Sequence, residues 1–230
     1  MRLITINKSK PTTTLEFYGC PMHCKYCTHM IREKKDYSVD QVLKTLLDYN
    51  AMTIFLGGAE PALQKKELLI LIKSLKRAGK EIVLKTTGGD SDFIKEALPY
   101  VNKFVLEVKV PLDDPTTLIN LTAYNIEQAQ AHLENMRRVI ELIKGKEVTA
   151  TLRIIPGRYD EQSVERIGID LKDVATEMHL TQFLSSNYDL AFGNISEPSP
   201  TEEEMIKLGK ALRKNIQNVR VKGNGFDHRL

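Results

Sequence analysis

Cys20-Pro-Met-His-Cys24-Lys-Tyr-Cys27 is the stretch that decides how this chain is interpreted, because it contains all three of the cysteines. An odd number of closely spaced cysteines argues against a disulfide framework, since one thiol is always left over. Cysteines at this spacing are typical of a metal or iron–sulfur site. Three thiolates are one ligand short of a closed tetrahedral site, so a metal centre bound here would keep one position open for chemistry.

Length and composition predict a globular protein without a large charged surface. The chain has 230 residues and a hydrophobic fraction of 42%, which is enough for one domain of barrel size with a substantial core. The net charge of +3 is small and does not indicate a surface that binds nucleic acid. The sequence has no apolar run of membrane-span length and no signal-peptide pattern, so we expect no membrane association and a cytoplasmic protein with reduced cysteines.

Strand and helix patterns alternate along the chain. Six apolar, β-rich segments are each followed by a turn and a helical repeat, which is clearest within residues 68–78. Six such units predict parallel strands with helices outside, in a partial (β/α)6 TIM-type barrel of the α/β class. We expect one domain over residues 1–230, with its core at about 13–213 and edge strands at Leu3–Ile6 and Val219–Val221. The predicted strands are Thr13–Tyr18, Met52–Leu56, Glu81–Thr86, Lys103–Val110, Val148–Ile155 and Met178–Leu184, and the predicted helix N-caps are Ser38, Asp90 and Thr201.

Unusual residues collect at the carboxyl ends of the predicted strands, where ligands bind in parallel α/β folds. Glu107 and Lys109 are two residues apart, so they share one face of a strand, opposite the aliphatic Val108. The aliphatic face should meet the helices, which directs the two charged side chains into the interior. The residues at the strand ends are Cys20, Gly57-Gly-Ala-Glu-Pro61, Thr86-Thr-Gly-Gly89, Glu107, Lys109 and Arg153.

Two interpretations of these inward charges are open. An internal ion-pair network that only joins the strands would place charges in the same way. Burying an ion without a partner is costly, so the charges need either each other or a ligand. The cysteines at the same mouth of the barrel favour a polar ligand.

The cysteine spacing, with Tyr26 just before the last cysteine, resembles the cluster loop of the radical S-adenosylmethionine (SAM) superfamily. Gly58-Ala-Glu-Pro61 is similar to the Gly-Gly-Glu-Pro motif of that superfamily. Gly19-Cys-Pro-x-x-Cys-x-Tyr-Cys27 most resembles the activating enzymes of glycyl-radical proteins, of the anaerobic ribonucleotide reductase and pyruvate formate-lyase type. Glu107-Val-Lys109 and Arg153-Ile-Ile-Pro-Gly157 resemble later segments of the same enzymes.

The resemblance implies a radical SAM oxidoreductase with a [4Fe–4S] cluster. Three irons of the cluster would be bound by the cysteines, and the fourth iron would chelate the amino and carboxylate groups of SAM. An electron from the reduced cluster would cleave SAM to methionine and a 5′-deoxyadenosyl radical, which abstracts hydrogen from a substrate. The residues implied in catalysis are Lys109 and the metal ligands Cys20, Cys24 and Cys27, and those implied in cofactor binding are Tyr26, Gly58, Ala59, Glu60, Thr87, Glu107, Lys109 and Arg153.

Individual roles at the cofactor follow from the same resemblance. Backbone groups of Gly58–Glu60 would take the methionine amino group, where small residues permit a close approach. Lys109 and Arg153 are the candidates for the methionine carboxylate, Arg153 with bidentate geometry. Tyr26 would lie against the adenine.

The chain departs from the family pattern at two strand ends. Lys85-Thr-Thr-Gly88 stands where activating enzymes often carry Asp-Thr-Asn-Gly, and some of them use that Asp for a cation near the cofactor. We hypothesise that the ammonium of Lys85 replaces such a cation beside Glu107. At the end of the sixth strand, Ser185-Ser-Asn-Tyr188 stands where a histidine is expected.

Three functions are compatible with these features. The leading one is an activating enzyme that abstracts hydrogen from a glycine of a partner glycyl-radical protein, with reduced flavodoxin or ferredoxin as electron donor. The second is a small-molecule radical enzyme resembling 7-carboxy-7-deazaguanine synthase, which would need a closed pocket with polar groups. The third is a module without SAM turnover, either a structural zinc site with His29 as fourth ligand or an electron-transfer protein.

Overall fold

The computed structural model describes residues 1–9, 11–184, 190, 192–193 and 195–230, so the segment Ser185–Tyr188 lies outside the described residues. The strands are β1 (Arg2–Lys8), β2 (Thr12–Phe17), β3 (Lys35–Asp36), β4 (Thr53–Gly58), β5 (Glu81–Thr86), β6 (Lys103–Glu107), β7 (Glu147–Ile154), β8 (Glu177–Gln182), β9 (Val219–Gly223) and β10 (Phe226–Arg229). The helices are α1 (Val39–Tyr49), a 3-10 turn (Pro61–Gln64), α2 (Lys65–Arg77), α3 (Ser91–Ala97), α4 (Pro115–Leu121), α5 (Ile126–Leu142), α6 (Glu161–Leu171) and α7 (Glu202–Arg213).

These strands form one sheet with a parallel centre, in the order β10-β9-β8-β7-β6-β5-β4-β2-β1-β3. β2 pairs in parallel with β4, and each strand from β4 to β8 pairs in parallel with the next one. β1, β3 and β10 are added at the edges in antiparallel pairs. The order is linear rather than circular, so the barrel is incomplete, and the α/β fold class with a partial barrel is confirmed.

The ends of the chain supply strands where the sequence predicts them. The segment predicted at Leu3–Ile6 lies within β1, and the segment predicted at Val219–Val221 lies within β9. β9 is more than an edge addition, because it pairs in parallel with β8 and extends the parallel part of the sheet to seven strands. The crossover through α7 between β8 and β9 is therefore a sixth βα unit that leads into another parallel strand.

The strand β6 ends earlier than its apolar pattern predicts. The regular ladder stops at Glu107, although the N–H of Val108 still donates to the carbonyl of Thr151 at 2.9 Å. Pro111 follows shortly and cannot donate to a ladder, which accounts for the early end. Lys109 therefore sits just beyond the strand, at the mouth of the barrel.

The helices bury the faces that their periodicity predicts. Leu68, Leu71, Ile72 and Leu75 of α2 are fully buried against the outer face of the sheet. The predicted N-caps are confirmed, since the side chains of Ser38, Asp90 and Thr201 accept hydrogen bonds from backbone N–H groups in the first turns of α1, α3 and α7. None of the helices in the described part of the chain is both long and apolar enough to cross a membrane.

Candidate active site

The three cysteines lie on the loop between β2 and β3, at the carboxyl end of β2. Cys24 is buried, Cys20 and Cys27 are half-buried, and all three are free thiols. The loop is held in place from below by Met22, which is fully buried and whose carbonyl accepts from the N–H of Ala123 at 3.0 Å. The loop is therefore anchored to the connection between α4 and α5, and its thiols are directed towards the mouth of the barrel.

One cavity brings the predicted site residues together. Besides the three cysteines, it is lined by residues from the ends of β4, β5, β6 and β7, so five strand ends meet there, as the positions of the unusual residues predict. We call it the cysteine cavity. Glu60 is the single member of the predicted set that does not line it. The walls of the cysteine cavity are formed by Cys20, Cys24, Tyr26, Cys27, Thr28, His29, Gly58, Ala59, Lys85, Thr87, Glu107, Lys109 and Arg153.

A chain of polar contacts crosses the cysteine cavity. The carboxylate of Glu107 is flanked by two ammonium groups: Lys85 lies 2.6 Å from Oε2, and Lys109 contacts Oε1. Nζ of Lys109 also donates to the hydroxyl of Tyr26 at 2.9 Å. Lys109 is only 5% exposed, so its positive charge is held by these contacts rather than by water.

The pKa values along this chain follow from burial and from the neighbouring charges. Burial alone would raise the pKa of Glu107, but the ammonium groups of Lys109 and Lys85 outweigh it and hold that pKa well below its usual range. Burial alone would lower the pKa of Lys109, but Cys24, Glu107 and Tyr26 outweigh it and raise that pKa well above its usual range. At neutral pH Glu107 is thus an anion and Lys109 a cation.

Two cationic groups keep donors available for a ligand. An ammonium has three N–H donors, and Lys109 uses two of them on Glu107 and Tyr26, so one remains. Arg153 is exposed to the cavity, and among the described residues its guanidinium makes neither a hydrogen bond nor an ion pair. The third donor of Lys109 and the fork of Arg153 are suited to a carboxylate.

The glycine at the end of β4 permits a close approach of two backbones. Gly58 has φ of +95°, and a Cβ there would lie 2.6 Å from the backbone nitrogen of Phe17. The N–H groups of Ala59 and Glu60 donate to the carbonyls of Phe17 and Gly19, at 3.1 and 2.9 Å. The absence of a Cβ at Gly58 is therefore what lets the two backbones meet at the edge of the cysteine cavity.

The side chain of Glu60 has a structural task that the sequence does not reveal. It is 4% exposed and begins the 3-10 turn, and its carboxylate accepts four hydrogen bonds. The donors are the N–H of Ala62, the hydroxyl of Thr86, and both the N–H and the hydroxyl of Thr87. Glu60 thereby joins the end of β4 to the end of β5, and it lines a neighbouring cavity instead of the cysteine cavity.

Burial also shapes the chemistry of the thiols. Burial, with the carboxylate of Glu60 nearby, raises the pKa of Cys20 to about 12. Burial likewise raises the pKa of Cys24, although Lys109 opposes the effect. Thiols in this environment are stable as thiolates only when a metal cation is bound to them. The donor set is thus suited to a metal centre of soft, thiolate-ligated type.

A second, larger cavity lies below the first, inside the partial barrel. We call it the lumen cavity; its volume is about 480 Å³, and it shares Lys85, Glu107 and Arg153 with the cysteine cavity. Its upper end therefore adjoins the thiols, and its lower end lies at the amino ends of the strands. The remaining lining residues are Thr12, Thr53, Phe55, Val83, Lys103, Val105, Thr149, Thr151, Glu177, His179 and Thr181.

Some members of the site could not be found from sequence. Tyr159 is one, because its hydroxyl donates to the carbonyl of Lys109 at 2.8 Å across 50 residues of chain. His29, which the sequence suggests only as a zinc ligand, also lines the cysteine cavity; burial lowers the pKa of its imidazole, so it is neutral at pH 7. Tyr159 lies between β7 and α6, outside any strand or helix, so no periodic pattern in the sequence indicates it.

Comparison with known proteins gives a consistent family. Residues 17–169 match the family model described as the radical SAM superfamily. A Methanocaldococcus jannaschii protein provisionally named a glycyl-radical enzyme activating enzyme is 27% identical over 226 residues, which cover 94% of this chain and 91% of that protein. A 7-carboxy-7-deazaguanine synthase of Methanospirillum hungatei is 31% identical over 113 residues, 48% of this chain and 47% of that protein.

The fold is shared with solved structures of low sequence identity. Streptococcus suis SuiB bound to S-adenosylmethionine superposes with a TM-score of 0.65 at 12% identity, over 90% of this chain. This chain spans 48% of that one, and at this identity the likeness shows the fold alone.

Proposed function

Because the chain belongs to the radical SAM superfamily, we propose that it cleaves SAM at a [4Fe–4S] cluster and abstracts hydrogen from a glycine of a partner protein. The observation that carries the first part is the cysteine cavity, where three free thiols meet Gly58, Lys109 and Arg153. The second part is supported by the Methanocaldococcus jannaschii relative, whose provisional name assigns it to glycyl-radical activation and which aligns over 91% of its length.

Cys20, Cys24 and Cys27 would hold the cluster, each thiolate on its own iron. When bound, the cluster supplies the electron that splits SAM into methionine and a 5′-deoxyadenosyl radical, the species that takes the hydrogen atom. The buried side chain of Met22 would keep the loop, and with it the thiols, at a fixed position. Lys109, which is a buried cation next to Cys24, offsets negative charge on the thiolates.

The remaining polar groups would orient SAM. The free N–H of Lys109 and the guanidinium of Arg153 would bind the methionine carboxylate, and carbonyls at the Gly58–Glu60 turn would accept from its amino group. Tyr26, whose hydroxyl is already bonded to Lys109, would present its ring to the adenine with Thr87 nearby. Glu107 would position Lys109 rather than contact the ligand's carboxylate, since like charges repel.

Further parts of the proposal concern the setting of the reaction. We infer reduced flavodoxin or ferredoxin as the electron donor, because a cluster held by thiolates needs a low-potential one-electron source. A reducing cytoplasm is consistent with three thiols that must stay free. We also propose that residues 1–230 act as one radical SAM domain with a core at about 13–213, which is consistent with the continuous sheet and with the family match at residues 17–169.

The decisive experiment is anaerobic reconstitution with iron and sulfide, followed by dithionite and SAM. We expect 5′-deoxyadenosine from the intact protein and none from Cys24→Ala, which should also lose bound iron. A reduced, fully loaded cluster that yields no 5′-deoxyadenosine contradicts the cleavage reaction. For the substrate, a candidate partner protein labelled with deuterated glycine should transfer deuterium to 5′-deoxyadenosine and show a glycyl radical by electron paramagnetic resonance.

A second candidate, a small-molecule radical SAM enzyme resembling 7-carboxy-7-deazaguanine synthase, is favoured by the lumen cavity. Its volume of about 480 Å³ lies in the range of small-molecule sites, and polar side chains line it. In that case deuterium would come from a small metabolite and no glycine would carry a radical.

A third candidate, a zinc or electron-transfer module, makes no 5′-deoxyadenosine. Within the described ranges no three His, Cys, Asp or Glu side chains are gathered closely enough to hold one metal ion. Metal analysis separates this candidate from the other two, since zinc without iron in the anaerobically prepared protein would support it.

A further inference from the structure

The hydroxyl of Tyr26 accepts one hydrogen bond, and its own hydrogen also needs a partner. The phenolic oxygen accepts from Nζ of Lys109 at 2.9 Å. Tyr26 is only 7% exposed, so water has little access to the hydroxyl. A phenol is protonated at neutral pH, and its O–H is therefore a donor that requires an acceptor inside the protein.

The thiol of Cys24 is an acceptor within reach of that hydrogen. The hydroxyl of Tyr26 and the sulfur of Cys24 form a hydrogen-bonding pair that favours the thiolate. The carboxylate of Glu107, which is also close, already has an ammonium group on each of its oxygens. The O–H of Tyr26 is therefore directed at a sulfur that would ligate the cluster.

Lys109 strengthens this donor. Glu107, Lys109, Tyr26 and Cys24 form a row in which each side chain contacts the next. Hydrogen bonds in a buried row polarise one another, so a hydroxyl that accepts from a cation becomes a better donor itself. Nζ of Lys109 also lies 5.3 Å from the centroid of the Tyr26 ring, which holds the ring from the same side.

The donors that face the thiols of Cys20 and Cys24 differ in kind. The sulfur of Cys20 is faced by the backbone N–H of Met22, which every residue except proline would supply at that position. The donor to Cys24 is a side chain, so it depends on the residue at position 26. Phenylalanine could present the same ring to an adenine, but it has no O–H. The hydroxyl of Tyr26 therefore calls for a role of its own.

We propose that the hydroxyl of Tyr26 donates to Sγ of Cys24 and thereby raises the reduction potential of the [4Fe–4S] cluster. Hydrogen bonds to the ligating sulfurs are among the factors that set the potential of such clusters. A donor stabilises the more negative, reduced cluster more than the oxidised one, so it favours uptake of the electron. This role rests on the cluster of the proposed function and is separate from any contact between the ring and the adenine.

The test is an anaerobic redox titration of the reconstituted full chain without SAM, followed by the electron paramagnetic resonance signal of the reduced cluster. Tyr26→Phe should make the cluster at least about tenfold harder to reduce, which lowers the midpoint potential by about 59 mV for one electron. A smaller shift, or a higher midpoint, overturns the proposal.

Tyr124 provides the matched control. Its hydroxyl also lies near Cys20 and Cys24, but in the described part of the chain it hydrogen-bonds to neither thiol. Tyr124→Phe should therefore leave the midpoint unchanged. A lowering of the same size in Tyr124→Phe would show that the loss of any nearby hydroxyl suffices, and the assignment to Tyr26 would be wrong.

Two further measurements do not depend on the midpoint of Tyr26→Phe. Electron–nuclear double resonance of the reduced cluster in H2O and D2O should show an exchangeable proton that is absent in Tyr26→Phe and present in Tyr124→Phe. If Tyr26→Phe does not retain the cluster, 3-fluorotyrosine at position 26 decides, because it keeps the ring and is a stronger donor. Its midpoint should lie above that of the unchanged protein, and an equal or lower value refutes the hydrogen bond.

The same preparations are assayed for 5′-deoxyadenosine with dithionite and SAM. Equal midpoints in proteins that hold the cluster and form 5′-deoxyadenosine refute the role of Tyr26 and leave the proposed function intact. An unchanged protein that assembles no cluster contradicts both.

Discussion

The ammonium of Lys85 on β5 lies 2.6 Å from Oε2 of Glu107 on β6. Both side chains are largely buried, at 24% and 21% exposure. The contact places a fixed positive charge at the edge of the cysteine cavity, on the side of Glu107 that faces away from Lys109. It is the arrangement required if Lys85 takes the place of a bound cation, and it can be tested.

Replacing Lys85 by Met should weaken SAM binding by about tenfold, because Glu107 would lose one of two cations and compete for Lys109. Added sodium or potassium should restore part of the affinity, since a cation could then enter beside Glu107. Equilibrium binding of SAM to the reconstituted protein, with and without these ions, gives the result. Lys95→Met, at an exposed position of α3, is the control, and a metal ion found between Lys85 and Glu107 in the unchanged protein would contradict the idea.

Replacing Tyr26 by Phe keeps the ring and removes the hydroxyl that accepts from Lys109. A hydrogen bond to a charged group contributes about 1.5–3 kcal/mol, so SAM affinity should fall by about tenfold while the cluster's absorption spectrum stays unchanged. Tyr100→Phe, outside the site, should have no such effect. If Tyr26→Phe binds SAM normally, the hydroxyl does not position Lys109.

Replacing Gly58 by Ala should destabilise the fold more than the same change at Gly145. Both glycines have positive φ, at +95° and +79°, so both variants incur the left-handed strain of about 1–2 kcal/mol. Only Gly58 faces a backbone clash, with Phe17, whereas nothing lies within 4 Å of a Cβ at Gly145. Urea denaturation should show an additional loss of about 1–3 kcal/mol for Gly58→Ala, and equal losses in the two variants would refute the crowding at Gly58.

His132 should make the folded protein sensitive to mild acid. Burial at 6% exposure, with Lys109 nearby, lowers the pKa of its imidazole from 6.5 to about 4. The unfolded chain protonates this imidazole at about pH 6.5, whereas the folded protein does so only near pH 4. The free energy of unfolding is therefore unaffected by His132 above pH 6.5 and decreases as the pH falls towards 4. Between pH 7 and pH 5 the loss should be about 2 kcal/mol.

The measurement is the free energy of unfolding at both pH values for the unchanged protein and for His132→Gln. The variant should lack this part of the decline, while His228→Gln, at an exposed position, should retain it. An identical decline in His132→Gln would show that other groups cause the acid sensitivity.

Much of the fold follows from local periodicity. Strand alternation gave the inward direction of Glu107, and helical repeats gave the buried face of α2, because each signal depends on neighbouring residues only. The N-caps at Ser38, Asp90 and Thr201 follow for the same reason, since each cap side chain and the backbone N–H that donates to it are three residues apart.

The contacts between separate loops could not be predicted in this way. Tyr26 and Lys109 are 83 residues apart, and Glu60 and Thr87 are 27 apart, so neither bond leaves a trace in periodicity. All four residues are already candidates for the site from the sequence. Residue type therefore identified the participants, whereas tertiary packing decided which of them form hydrogen bonds with one another. The pairing of Thr151 with His179 across β7 and β8 was hidden for the same reason, because it depends on strand register.

The carboxylate of Glu60 has a consequence for how the site meets a ligand. Its four hydrogen bonds fix the turn after β4 to the end of β5 before any cofactor is present. The conformational entropy of ordering this wall is therefore lost during folding and not on binding. A preorganised wall of this kind should let SAM bind without rearranging the backbone, so that its binding enthalpy and affinity report the contacts themselves.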